Sequence, residues 1–83
     1  MIIAKNCMKE IAKMYNVELG EVFDLCCAKG SLGFYRFDED GLWKQERAFD
    51  GKGYNGAIIW YDYTDIIGKL LTGKWGIFKI KKE

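Results

Sequence analysis

The stretch GKLLTGKW, Gly68 to Trp75, reads Gly, four residues, Gly, Lys. That is a phosphate-binding loop short of its last residue. Such a loop needs a buried strand before the first Gly, a Ser or Thr after the Lys to hold magnesium, and a helix start facing the phosphates. Here Trp75 stands where the hydroxyl belongs, and the residues before Gly68 carry a helical pattern. Only nine residues follow Lys74, and they alternate as a strand does. A helix that ends at Gly73 accounts for the whole stretch without a nucleotide.

The other reactive groups offer no catalytic constellation. There is no His, so no imidazole base and no triad. Ser31, Thr64, Thr72 and the tyrosines sit in no nucleophile motif. The carboxylates of Asp38, Glu39 and Asp40 fall in a predicted turn, where solvent keeps them ordinary. Cys7, Cys26 and Cys27 show no CxxC spacing and are too few for a closed zinc site. Their odd number is a poor disulfide framework. Adjacent Cys26 and Cys27 point to opposite faces if they lie in a strand, which aims one at the core. The expectation is no catalytic residue, no cofactor and no metal, hence not an enzyme.

A second constellation spans residues 8–26. Ala12, Asn16, Val17, Val22 and Leu25 match the spacing of a helix-turn-helix. Its second helix would expose Glu18, Glu21 and Asp24 to a phosphate-lined groove, which is electrostatically unfavourable. No Arg, Asn or Gln is placed there to read bases.

The elements that must position these residues follow from periodicity. Asn6 is a plausible cap for a helix whose apolar stripe is Met8, Ile11, Ala12 and Tyr15, ended by Asn16. EVFDLCCA reads as a strand or a short helix. GFYRF and LWKQERAF flank the turn DEDG and form a hairpin over residues 33–49, with Gly41 free to take positive φ. Residues 50–56 read as a Gly-rich loop, and AIIWY as a buried strand or the lead into a helix. TDIIGKLLTG is a second helix, with Thr64 as its cap and Ile66, Ile67, Leu70 and Leu71 as its apolar face. Gly68 weakens that helix and predicts close packing against a neighbour. KWGIFKIKKE closes the chain as a strand. The order gives one α+β domain over residues 1–83. It has a mainly antiparallel sheet of about four strands, an N-terminal helix, and a second helix before the last strand.

Composition supports a folded domain. Of the 83 residues, 49% are hydrophobic and 16% aromatic, unlike a disordered chain. The net charge of +1 indicates neither a strongly basic nucleic-acid binder nor an acidic mimic. The opening MIIAKNCMKE has a short apolar run and no cleavage pattern, and no segment reaches the length of a membrane span. A cytoplasmic location is expected.

The aromatics are the unusual feature. Consecutive pairs such as Phe34–Tyr35 and Trp60–Tyr61 must point to opposite faces of a strand. A single helix layer covers only one face, so some aromatics form a binding surface. Tyr35, Trp43, Arg47, Tyr54, Trp60 and Tyr63 are the candidate partner-binding residues. Single-stranded nucleic acid could stack on this surface with Lys44, Arg47, Lys52 and Lys74 beside it. Glu46, Asp50 and Asp62 weaken that, and a protein partner tolerates mixed charge better.

LGEVF, YRFDEDGLW and LLTGKWGIFKI together resemble a group of small proteins encoded by phages and prophages of Gram-positive bacteria. The matching residues are Gly20, Glu21 and Phe23, then Tyr35, Asp40, Gly41 and Leu42, then Leu70, Leu71, Gly73 and Ile77. Many members continue into a Pro- and Tyr-containing tail that is not part of this sequence. The resemblance implies a bacterial host cell and a non-enzymatic protein that binds a host or phage protein. Anti-CRISPR inhibitors of host defence nucleases belong to that class. The alternative is a nucleic-acid-binding module, through residues 8–26 or through the sheet. Self-association along the strand from Trp75 to Ile80 is a third expectation. The residues leave the oligomeric state open.

Overall fold

The computed structural model describes residues 3–80. In chain order the elements are α1 (Met8–Met14), β1 (Val22–Cys27), β2 (Gly30–Asp38), β3 (Gly41–Phe49), β4 (Tyr54–Asp62), a 3-10 turn (Thr64–Ile66), α2 (Ile67–Leu71) and β5 (Trp75–Phe78). The fold is α+β, with five strands where about four were expected. The sheet order is β4-β3-β2-β1-β5, and every pairing is antiparallel.

Helix α1 is flanked by two asparagines, each one residue outside its caps Cys7 and Tyr15. The Asn6 side-chain oxygen accepts from the Met8 N–H at 2.9 Å, and its amide donates to the Glu39 carbonyl at 2.8 Å. The N-cap position itself is Cys7, whose side chain makes no cap bond, so Asn6 lies one residue before the cap expected of it and ties the helix start to the β2–β3 turn. Asn16 sits at φ 60°, and Val17 N–H returns to the Ala12 carbonyl, which closes the helix end. Val22–Cys27 is then a strand, which settles the choice left open for EVFDLCCA. A helix-turn-helix needs its second helix where β1 runs, so that alternative is corrected here.

Phe23 and Leu25 on β1, Tyr35 and Phe37 on β2 and Leu42 on β3 point to one face of the sheet and are buried. Met8, Ala12, Val17 and Leu70 cover them from the helix side. Phe37 lies at the centre, 5.1 Å from the Phe23 ring and 6.2 Å from that of Tyr15. Cys27 shares this face with its partner Trp75, while Cys26 faces the other way. Leu32 is an extra residue in β2, packed on the core at the β1–β2 bulge.

Gly41 shows why the hairpin turn needs glycine. It has φ 139°, and a Cβ there would lie on the Thr64 hydroxyl. That hydroxyl accepts from Leu42 N–H at 3.1 Å and donates to the Asp62 carboxylate at 2.6 Å. Tyr63 N–H also bonds the Leu42 carbonyl at 2.7 Å. The chain leaving β4 is therefore turned back across the core face and away from the β4 edge. Thr64 is thus a tie between segments rather than the helix cap expected, and its side chain makes no cap bond to the helix.

The second helix is shorter than its pattern suggested. Ile66 and Ile67 are half-buried, Leu70 is buried and Leu71 is exposed. Gly68 has open space where a Cβ would stand, so the close approach expected there is absent. Gly73 ends the helix at φ 78°, and Lys69 lies 4.7 Å from the centre of the Trp75 ring. Residues 81–83 of the expected closing strand lie outside the described residues.

Two expectations about β4 change. The loop before it is shorter than residues 50–56, because Tyr54, Asn55 and Gly56 already belong to the strand. AIIWY is a strand, but an edge strand with most of its side chains exposed. Gly56 at φ 84° and an Asn55 side chain bonded to Ala57 N–H put a kink near its start. Beyond β2, the β3–β4 hairpin projects as an arm, and the chain measures 53 Å along its long axis against 28 and 27 Å across.

Candidate functional site

Strand alternation sorts the aromatics into two sets. The face opposite the helices carries Asp24 from β1, Phe34, Arg36 and Asp38 from β2, Trp43 and Arg47 from β3, Ile58, Trp60 and Asp62 from β4, and Phe78 from β5. The registers fix their neighbours: Val22, Arg36, Trp43 and Asp62 form one row across four strands, and Gln45 lies across from Trp60. Among the described residues no helix packs on this face. Ile58 and Phe78 are exposed at 54% and 66%.

Arg36 organises its centre. Its guanidinium carbon lies 4.1 Å from the Trp60 ring centroid, close enough for cation–π attraction. Asp38 faces both neighbours: one oxygen accepts from the Trp43 indole N–H at 2.8 Å, and the other lies 3.9 Å from Arg36 Nε. That Nε is shielded from solvent and has no hydrogen-bond partner. Trp43 and Trp60 are half-buried although no layer covers them. The arrangement holds two indoles and a guanidinium partly desolvated and limits their conformational freedom. Asp62, beside them, accepts from both the hydroxyl and the backbone N–H of Thr64. Those two bonds hold its carboxyl below the usual carboxylate range.

Three of the six expected binding residues, Trp43, Arg47 and Trp60, meet on this face. Tyr54 is at the arm's tip, packed edge-on to Phe49 at 5.7 Å. Tyr35 and Tyr63 are on the covered face. Tyr35 is only 2% exposed and meets Tyr63 edge-on at 5.8 Å, so it is a core residue rather than a contact residue. Phe34, Arg36, Ile58 and Phe78 belong to the open face and were not among the six. Taking the positions an odd number of residues from the core residue Phe37 would have found the first two, because parity alone assigns the face.

The basic set proposed beside the aromatics does not assemble. Lys44 is on the covered face, 3.4 Å from Glu46, while Lys52 is in the arm's loop and Lys74 in the turn before β5. Of that set, Arg47 alone shares the open face, where Asp24, Asp38 and Asp62 outnumber the two arginines. A nucleic acid would meet a mixed field there rather than the basic track it needs.

Other reactive groups stay quiet. Ser31 donates to Asp24 at 2.6 Å and also accepts from Gly33 N–H, a local turn contact. Burial, then the charge and hydrogen bond of Asp24, pushes the Cys26 thiol up and disfavours its thiolate. Among the described residues no three His, Cys, Asp or Glu stand where they could share a metal ion. No described helix is long and apolar enough to cross a membrane. A shallow cleft of about 470 Å³ lies beside α1, with Lys9, Lys13 and Glu18 on its rim. Lys79, also there, donates to the Asn16 carbonyl at 3.2 Å.

Compared with known families, curated proteins and solved structures, the chain matches none of them.

Proposed function

We propose that this chain is a non-enzymatic binding protein whose open sheet face engages another protein. The observation that carries the reading is the Trp43–Arg36–Trp60 cluster. It is held in place by Asp38 and left without a covering layer. Trp and Arg dominate the energetic centres of protein interfaces, and preformed clusters of them give the largest losses on truncation. Mixed charge around the cluster suits a protein better than a phosphate backbone.

The resemblance to phage and prophage proteins names the kind of partner: a host or phage protein in a bacterial cell. Inhibition of a host defence nuclease, in the manner of anti-CRISPR proteins, is the specific form proposed. The test is to titrate the chain into purified RNA-guided nucleases cleaving target DNA, beside capture of partners from host lysate. Stoichiometric inhibition that Trp60→Ala abolishes would support the specific form. A captured partner retained equally by Trp43→Ala and Trp60→Ala would refute the open face as the site. Binding of labelled DNA or RNA that weakens steeply with salt would favour the nucleic-acid alternative instead.

A further inference from the structure

The two edges of the sheet are not alike. β5 is only four residues long and is followed at once by Lys79. β4 is nine residues long, and from Tyr54 to Asp62 it has no Lys, no Arg and no Pro. Its one charge is Asp62, at the very end. Charges, prolines and bulges are what ordinarily keep an edge strand from pairing with another chain. β4 has such a device only at each end, the kink at Asn55–Gly56 and the charge of Asp62, and that leaves residues 57–61 unprotected. Ile58 and Ile59 are exposed at 54% and 40%. The chain after Asp62 turns inward through Tyr63 and Thr64, so nothing it carries blocks this edge.

We infer that a second copy of this chain pairs with β4, antiparallel, to form a two-fold dimer with one continuous ten-stranded sheet. Symmetry restricts the register. In an antiparallel pair, opposed side chains share a face, so the two-fold axis stands perpendicular to the sheet and passes beside one residue. An axis at Trp60 would set each Asp62 carboxylate across from Ile58. An axis at Ile58 would draw the kinked Gly56 into the ladder. An axis at Ile59 avoids both.

That register is also self-complementary. Ile59 meets its own copy. Ala57 lies across from Tyr61, small against large. Ile58 lies across from Trp60, a β-branched and aromatic pair of the kind that stabilises sheets, and it occurs twice. The two Asp62 residues fall at opposite corners, beyond the paired segment. The same axis keeps both helix layers on one side and both open faces on the other. The Trp43–Arg36–Trp60 clusters of the two copies then become one surface, joined through the Ile58–Trp60 pairs. The dimer stands whether or not the open face binds a protein.

The test is mass by light scattering across a dilution series, on the full chain. A mass rising from the 9.6 kDa of one chain toward twice that value is expected. Ile59→Lys should hold the mass at one chain, because it sets two ammonium groups face to face on the axis. Within its own chain that lysine would lie across from Glu46, so the fold should persist, as circular dichroism will report. Phe78→Lys, on the other edge, should dimerise like the parent. A single-chain mass up to about 1 mM, the weakest association worth the name, would overturn the inference. So would dimerisation that survives Ile59→Lys or is lost in Phe78→Lys.

Discussion

Phe37 and Phe49 belong to neighbouring strands of one sheet, yet one is fully buried and the other 68% exposed. Phe37 sits where α1 and the β1–β3 core close on each other. Phe49 sits on the arm, past the point where β2 stops pairing with β3. The same residue type thus does two jobs. In the body its ring is removed from water and contributes to folding. On the arm and the open face, aromatic surface stays in water and gains only by meeting something else. The contrast teaches that the aromatic excess is divided by the sheet: one face holds the fold together, and the other is left uncovered.

Five substitutions and a titration would break or sharpen this division. Phe37→Ala should cost about 3–5 kcal/mol in denaturant unfolding, as core aromatic truncations do. A domain of this size has only roughly 4–12 kcal/mol in hand, so the variant should lose a large share of its stability and melt far below the parent. Tyr54→Ala on the arm should cost under about 1 kcal/mol, since exposed sites rarely cost more. Equal losses at the two sites would erase the distinction between body and arm.

Gly41→Ala should come next, at about 1–3 kcal/mol or more. Its Cβ would collide with Thr64, whose hydroxyl bridges Leu42 and Asp62. Gly73→Ala should cost about 1–2 kcal/mol from left-handed backbone alone, because nothing stands within 4 Å of its Cβ position. ATP should not change the melting temperature of either protein. A rise would revive the phosphate-loop reading of Gly68 to Lys74.

Gly68→Ala should stabilise slightly, by about 0.5–1 kcal/mol, because its helical backbone and open surroundings accept a methyl group. A loss of stability there would show a close contact that the structure does not have.

The titration concerns Tyr35. Burial, reinforced by Tyr63 and Glu46, pushes its hydroxyl up to about 12. The folded state therefore favours the neutral phenol. That contribution is complete below the unfolded value near about 10 and is lost as pH rises through about 12. An alkaline unfolding step in that window should weaken in Tyr35→Phe and persist in Tyr54→Phe.

Much of the fold was legible because certain backbone states admit few residues. Asn16 and Gly73 take the positive φ that ends a helix, and DEDG turns the hairpin at Gly41. The short apolar runs were harder. EVFDLCCA spans too few residues for periodicity to separate strand from helix, which is how a five-stranded sheet read as about four strands. AIIWY looked buried because a continuous apolar run is the same string in a covered strand and in an exposed edge. Only its place in the sheet order distinguishes the two. The candidate surface failed on parity. Residues 34 and 35 are both aromatic, and a shift of one position sends Tyr35 to the core and Phe34 to solvent. Trp43, Arg47 and Trp60 were found, but Arg36, which lies over Trp60, carries no signal beyond its spacing from Phe37.

The central claim is that one face folds the chain and the other binds. Trp60→Ala tests it most directly when thermal stability and affinity for a captured partner are measured on the same preparation. The account predicts a melting temperature close to the parent's, with binding reduced at least about tenfold, the loss of a residue at an interface centre. A variant that melts far below the parent, or that binds its partner unchanged, would contradict it.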